Sequence, residues 1–314
     1  MFHLLFCLIV FIVSNISEGS FSPAEGAYVE GDVLYWKASE QGLSYAVKTG
    51  DGDFSVKTRL KEPDFEWDFG FKLGLGYRFA RDNWDILLRL THFNTHADSL
   101  PHASKDSVLY PIWIAPQERT PAVADAIKMH WRLHLAFIDS LFGKQFSPYP
   151  RLCIYPQIGL KFAMARQKFH LEYSGEMQES VRMKNKFQGI GPCGSLGIRW
   201  PFLSHFSLAA LGELSVLWGR FYIHEDESRV PANVRVAGVR DAFLRFVPIA
   251  EGSLALIWQK LWQKSQRSLA LHVAWDVVLL FRQKQLKRFS NQQILETPSN
   301  LEMRGWEWGA RFDF

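Results

Sequence analysis

Between residues 65 and 79 the chain reads FEWDFGFKLGLGYRF. Phe65, Trp67, Phe69, Phe71, Leu73, Leu75, Tyr77 and Phe79 take every odd position, while glycines and the charged Glu66, Asp68, Lys72 and Arg78 take the even ones. A two-residue alternation puts one class of side chain on each face of a β-strand. A single amphipathic strand fits many folds, but here the same pattern returns along nearly the whole chain. Trp84, Ile86, Leu88 and Leu90 oppose Asp85 and Arg89, and Ile127, Met129, Trp131, Leu133, Leu135 and Phe137 oppose Lys128, His130, Arg132 and His134. Further runs occupy residues 151–164, 190–200, 206–218, 244–258 and 269–279, and the chain closes on Trp306, Trp308, Ala310, Phe312 and Phe314 alternating with Glu307, Gly309, Arg311 and Asp313.

With residues 28–37 these runs make ten candidate strands. Many reach the roughly 9–11 residues that a tilted strand needs to cross a bilayer. Their connectors alternate: short turns near 80–83, 201–204 and 260–267, a somewhat longer one at 139–150, and mostly long polar segments at 38–64, 95–126, 172–180, 223–238 and 282–300. Short turns on one side and long loops on the other are the plan of an outer-membrane barrel, with both chain ends on the periplasmic side. Two short alternating runs within residues 42–60 leave a second count open: twelve strands if both cross, ten if they form an extension above the membrane. Ten is the expected number.

A soluble antiparallel sandwich also alternates, but its strands average five or six residues. Several runs here are longer, and aromatic residues gather near strand ends, as in the girdles of membrane barrels. Backbone groups in hydrocarbon must all be paired, which for strands requires a closed sheet. The expected fold is therefore all-β, a transmembrane up-and-down antiparallel barrel in one domain spanning residues 20–314. Residues 1–19, with an apolar run from Leu4 to Val13 and small residues after it, read as a cleaved secretory signal. The expected location is a bacterial outer membrane.

Composition removes other classes. Formal charge is +4 from 36 basic and 32 acidic residues, too balanced and too dispersed for a nucleic-acid binder. Cys153 and Cys193, the cysteines left after processing, match no metal-ligand spacing, and no cofactor or metal is expected. Both fall on the inward face of neighbouring strands, and register counting places residue 153 opposite 195–201. That offset favours free thiols over a disulfide.

The segments GDVLYWKASEQGLSYAV (31–47) and FEWDFGFKLGLGYRFARDNWDILLRLTHF (65–93) resemble the amino-terminal signature of the Legionella-type major outer membrane proteins and their relatives in chlamydia-like bacteria. The resemblance covers about a fifth of the chain and implies an abundant surface barrel with a porin-like role. A carboxyl-terminal Phe314 behind alternating Phe312 resembles the signal read by the barrel-assembly machinery.

If the lumen conducts, the non-aromatic face should line it. The candidates are Lys72, Arg78, Arg89, Lys128, Arg132, Lys161, Arg199, Glu213, Arg245, Glu251, Asp276, Glu307 and Arg311. With Glu66, Asp68, Asp85 and Asp313 on the same face, nine basic residues stand against eight acidic ones, which predicts weak ion selectivity. Eight strands give a filled interior and 16–18 a water channel, so a ten-strand barrel could hold a narrow mixed-charge pore for small hydrophilic solutes or a lumen plugged by its own ion pairs. The inward Gly70, Gly74 and Gly76 either leave space or ease curvature. In the plugged case the barrel would be an adhesin or an envelope-structure protein. The histidines toward the external side, His92, His96, His102, His170 and His224, with Asp98 and Asp125, form no catalytic motif, and no enzyme activity is expected. Expected partners are outer-membrane lipid, the assembly machinery, lipopolysaccharide through Arg282, Lys284, Lys287 and Arg288, and a second copy of the chain. The proline-bearing segment 95–126 could fold inward or lie on the surface.

Overall fold

The computed structural model describes residues 25–50, 58–79, 83–103, 107–113, 123–149, 151–175, 178–229, 234–262, 267–285, 287–290, 293–296 and 298–314. The side chains of 234–237 and 287–296 are not among the described features, and the signal segment lies outside the described residues.

Ten long strands follow the chain: β1 (Gly26–Glu40), β2 (Trp67–Arg78), β3 (Trp84–Ser99), β4 (Ala124–Lys144), β5 (Leu152–Gly175), β6 (Glu179–Pro201), β7 (Phe206–Arg229), β8 (Val234–Trp262), β9 (Arg267–Lys284) and β10 (Ser299–Asp313). Each pairs antiparallel with the next, and β1 pairs with β10 through a register that runs from Tyr28 opposite Asp313 to Glu40 opposite Leu301. The ring is closed, so no edge is left. Where β2 gives way to β3, Phe79 N–H donates to the Trp84 carbonyl at 2.9 Å and Asn83 takes the left-handed region at φ 54°.

The strand count is ten. Residues 46–50 and 58–61 pair with each other, and 46–50 also pairs with 107–111, forming a small sheet above the external rim and not a further pair of membrane crossings. A second hairpin joins 287–290 to 293–296.

Lipid-facing positions carry large exposed apolar side chains, among them Phe69, Leu73, Ile158, Leu214 and Leu254. Two aromatic layers bound this band. Tyr35 stacks on Trp67 at 5.2 Å and Trp275 meets Trp306 at 5.0 Å on the external side, while Trp84 stacks on Phe142 at 4.6 Å and Phe312 meets Phe314 at 5.0 Å on the periplasmic side. On β2 the layers are represented by Trp67 and Tyr77. Ten residues correspond to about 34 Å of strand, which a tilt of about 40° reduces to about 26 Å, the height of an outer-membrane apolar band.

The strands are longer than that band. β5 has 24 residues and β8 has 29, so their upper parts rise out of the membrane as a continuation of the barrel. There the side-chain chemistry inverts while the alternation of faces does not. On β4, Ile138 and Phe142 point outward into lipid and Asp139 inward; higher up, Ile127, Met129, Trp131, Leu133, Leu135 and Phe137 are buried inside. Their even-numbered neighbours point outward, with Lys128, Arg132 and His134 exposed. This corrects the expectation that Lys128 and Arg132 line the lumen. An apolar alternation marks a face hidden from water, and above the membrane that face is the interior.

Candidate functional site: a charged lumen beneath an apolar rim

At membrane height the inward positions are polar and charged, and they pair with one another. Near the periplasmic end Arg78 lies 3.7 Å from Asp85 and 3.6 Å from Asp313, Arg311 reaches Asp313 at 3.0 Å, and the Tyr28 hydroxyl donates to Asp85 at 2.7 Å. A second group joins Lys72 to Asp276 at 2.9 Å and to Glu307, with His272 3.0 Å from Glu307 and 3.4 Å from Asp32. The third sits at mid-membrane: Lys161, fully buried, is 2.8 Å from Asp139 and 2.8 Å from Glu213 and also contacts Glu251, while Arg89 lies 3.1 Å from both Asp139 and Glu213.

This third group decides the shape of the bore. Arg89 is on β3 and Glu213 on β7, four places apart around a ring of ten strands. Their ion pair therefore joins nearly opposite walls across the lumen. Buried charges are tolerated when each is paired, and here the pairing occupies the space through which a solute would pass.

The inward glycines have a related role. A Cβ on Gly76 would collide with the Tyr28 ring, and one on Gly74 with the Glu30 carboxylate. Tyr28 and Glu30 thus lie flat over a glycine lane on β2. The glycines make room for neighbouring side chains that fill the lumen. Gly309 does the same for Asp32 and His272.

Beside the first ionic group a cavity of about 310 Å³ opens toward the periplasmic mouth, lined by Tyr155, Arg199, Leu211 and Gln259 together with Arg78, Arg311 and Asp313 of that group. Arg199 is fixed there by donating to Ser207 at 2.8 Å and Gln259 at 2.7 Å. Cys153 borders the same cavity, and both Cys153 and Cys193 are free thiols. Their register partners are Arg199 and Gly159, as the residue count anticipated.

Above the ionic layers the interior is an apolar core of Trp36, Phe93, Trp131, Phe169, Phe187 and Phe221. Leu43, Tyr45, Leu109 and Trp113, from the segments over the rim, are buried in the same cluster. Part of the 95–126 segment thus folds inward as a cap, with Trp113 donating to the Ser44 carbonyl at 2.8 Å; residues 104–106 and 114–122 lie outside the described set. One polar relay crosses this core. Gln167 donates to Glu40 at 2.9 Å, Asn185 donates to Gln167 at 3.2 Å and to the Gln283 carbonyl at 2.8 Å, and Lys284 donates to the Gly42 carbonyl at 2.6 Å. Glu40 is three residues beyond the Trp67 layer and outside the membrane-spanning section. Burial pushes its carboxyl up to about 7, against the hydrogen bond from Gln167 and the charge of Lys284.

Of the thirteen lumen candidates, eleven point inward: Lys72, Arg78, Arg89, Lys161, Arg199, Glu213, Arg245, Glu251, Asp276, Glu307 and Arg311. Arg245 sits higher than the ionic layers and donates to Gln285 at 2.7 Å. Lys128 and Arg132 are outside. Lys284 is buried and does not face the external leaflet, whereas Arg282 is exposed. His96, His170 and His224 are on the outer surface, with His96 3.6 Å from Asp68 and His170 3.5 Å from Glu172, and His92, also outward, packs on the Phe71 ring at 5.4 Å. Asp98 pairs at 2.6 Å with His130, which the sequence did not single out as a site residue. Asp32, Asp139 and His272 are further members of the ionic groups that it did not mark; Asp139 stands between the outward Ile138 and the inward Leu141, where the apolar pattern changes phase.

The family described as the Legionella pneumophila major outer membrane protein precursor matches residues 23–314. The chain belongs to this family. Its place is accordingly the bacterial outer membrane, in agreement with the closed barrel and its apolar band. No curated protein matches the chain. Solved structures similar to it include the outer membrane protease OmpT of Escherichia coli, 9% identical over 96% of this chain and 100% of that one with a TM-score of 0.45. Another is the Pseudomonas putida toluene transporter TodX, 9% identical over 96% and 93% with a TM-score of 0.32. The attachment invasion locus protein Ail of Yersinia pestis is 11% identical over 93% and 100% with a TM-score of 0.27.

Proposed function

We propose that this family member is a barrel closed to free diffusion, serving at the cell surface as a structural or adhesive envelope protein. The Arg89–Glu213 pair across the bore carries this reading, because a solute at mid-membrane would have to break a buried charge pair that is joined to Asp139 and Lys161. The apolar core beneath the cap supports it from the external side. A non-enzymatic role is supported by the outward histidines, which lie on a convex wall and not in a cleft. The carboxyl-terminal Phe314, exposed in the lower aromatic layer with its N–H held by the Ala27 carbonyl at 3.0 Å, supports its reading as an assembly signal.

A narrow porin is the second reading, favoured by the polar lumen at membrane height and by the periplasmic cavity that leads toward it. A planar bilayer containing the purified, refolded chain separates the two. The closed barrel is electrically silent and binds host cells or glycans through its external face. Stepwise conductance, with a reversal potential that moves on Arg89→Gln substitution, would establish the porin instead.

A further inference from the structure

The outer wall above the lipid band is not uniform around the barrel. Ile138, Phe162, Ile190, Trp218 and Phe246 lie side by side in the register of β4–β8 and form the last row that is apolar on all five strands. Four residues higher, about 14 Å along the strands, the outward positions of β4–β6 become basic in successive rows: His134, Arg166 and Lys186, then Arg132, Lys168 and Lys184, then His130, His170 and Arg182. Among the described residues none of Arg132, Arg166, Lys168, Arg182 and Lys184 takes part in an ion pair, and Lys186 lies over the Tyr222 ring.

The nearby carboxylates are outnumbered: Asp98, Glu172 and Asp226, in contact with His130, His170 and His224, stand against six lysines and arginines in these rows. The far side of the barrel differs: its outward positions at this height include Lys37, Arg304 already 3.7 Å from Glu302, and the apolar Val277 and Leu279.

The geometry points to a binding site on β4–β6 for the phosphate groups of an outer-leaflet glycolipid of the lipopolysaccharide type. Three features argue for that occupant. The cations begin one outward row above Ala136, Met164 and Gln188, which cap the apolar wall, at the depth where outer-leaflet phosphates lie. Arginine forks bind phosphate oxygens in pairs while lysines supply point charges, and the rows present both. The apolar row beneath offers the acyl chains of the same molecule a contact continuous with its headgroup. The site is independent of whether the lumen conducts, and it is distinct from the 282–288 segment, whose Lys284 is buried.

The test uses the full chain refolded in detergent micelles, with energy transfer from its tryptophans to a fluorescent bis-phosphorylated lipid A. Binding should weaken as salt rises, and fully dephosphorylated lipid A should bind no better than phosphatidylcholine. The triple variant Arg132→Gln, Lys168→Gln, Lys184→Gln should bind roughly tenfold more weakly, while Lys37→Gln with Arg304→Gln changes nothing. Equal binding of phosphorylated and dephosphorylated lipid A to the unmodified chain overturns the proposal, with no dependence on any variant's folding. So does free pyrophosphate displacing lipid A at equal phosphate concentration, which would mark a soluble anion as the ligand. An unchanged affinity in the triple variant, folded by its β-sheet circular dichroism, would also overturn it.

Discussion

The lower and upper halves of one strand use the same two faces for opposite purposes. On β4 the membrane section sends Ile138 out and Asp139 in, and a few residues higher Trp131 is in and Arg132 out. β5 repeats this with Ile158 and Leu160 outside below and Phe169 and Leu171 inside above. The backbone alternation runs through without a break at this level, so the difference lies in the surroundings. Lipid accepts an apolar exterior and leaves the interior to mutually paired charges. Water around the upper barrel requires a polar exterior, and the interior there must supply its own hydrophobic core.

Substitutions at equivalent depths should therefore have different consequences in the two halves. Lys161→Met removes the cation shared by Asp139, Glu213 and Glu251 and leaves their charges buried beside one another, with only Arg89 to offset two of them. A loss of about 3–5 kcal/mol is expected in urea unfolding of the refolded barrel. In the upper half the matching inward change is Trp131→Ala, which opens a void in the rim core at a cost also near 3–5 kcal/mol. That loss should be accompanied by faster hydrogen exchange in the cap segments that share its cluster. If Trp131→Ala is neutral while Lys161→Met is not, the upper barrel is not a packed core and the division fails.

The outer wall supplies a sharper contrast. Leu214 is 70% exposed at mid-membrane, and Leu214→Arg should cost about 2–4 kcal/mol in lipid. His134→Arg, outward but above the band, should stay within about 0.5 kcal/mol. An arginine scan along the outward positions of β4, from Phe142 through Ile138 to His134, should show the penalty falling away above Ile138. A penalty that persists at His134 would raise the membrane boundary and submerge the basic rows.

Much of the barrel was legible in the residues. Period-two alternation gave strand number and order, and the register of β5 with β6 followed from counting alone, as Cys153 opposite Arg199 shows. The inversion was also written there but is easily passed over. Phe137 and Ile138 stand together before Asp139, so the apolar set shifts from odd to even positions, and β5 carries the same slip between Phe162 and Ala163. Alternation identifies the face hidden from water without saying whether lipid or protein hides it, which is why Lys128 and Arg132 were expected inside. The closure of the bore was not legible at all. It depends on Arg89 meeting a carboxylate 124 residues away, and nothing local to either residue encodes that meeting.

The one predicted gain in stability, smaller than the losses above, concerns the single carboxylate within the rim relay. Glu40 is buried in the upper half, where an interior of apolar groups and hydrogen bonds replaces the ion-pair layers below. Its carboxyl is raised by burial from an ordinary value of 4.5 to about 7 in the folded barrel. Because the folded state holds this proton more tightly than the unfolded chain, the ionised side chain opposes folding. Below the ordinary value both states are protonated and there is no penalty; the penalty grows as pH rises from there and is complete above about 7. Glu40→Gln keeps an acceptor for Gln167 and removes the ionisation. It should match the parent near pH 4 and exceed it by on the order of 1–2 kcal/mol at pH 8, read from urea midpoints at each pH. A variant that is instead less stable at pH 8 would mean that the Lys284 charge outweighs the burial of Glu40. The rim would then follow the ion-pair logic of the membrane section, and the contrast between the halves would end below Glu40.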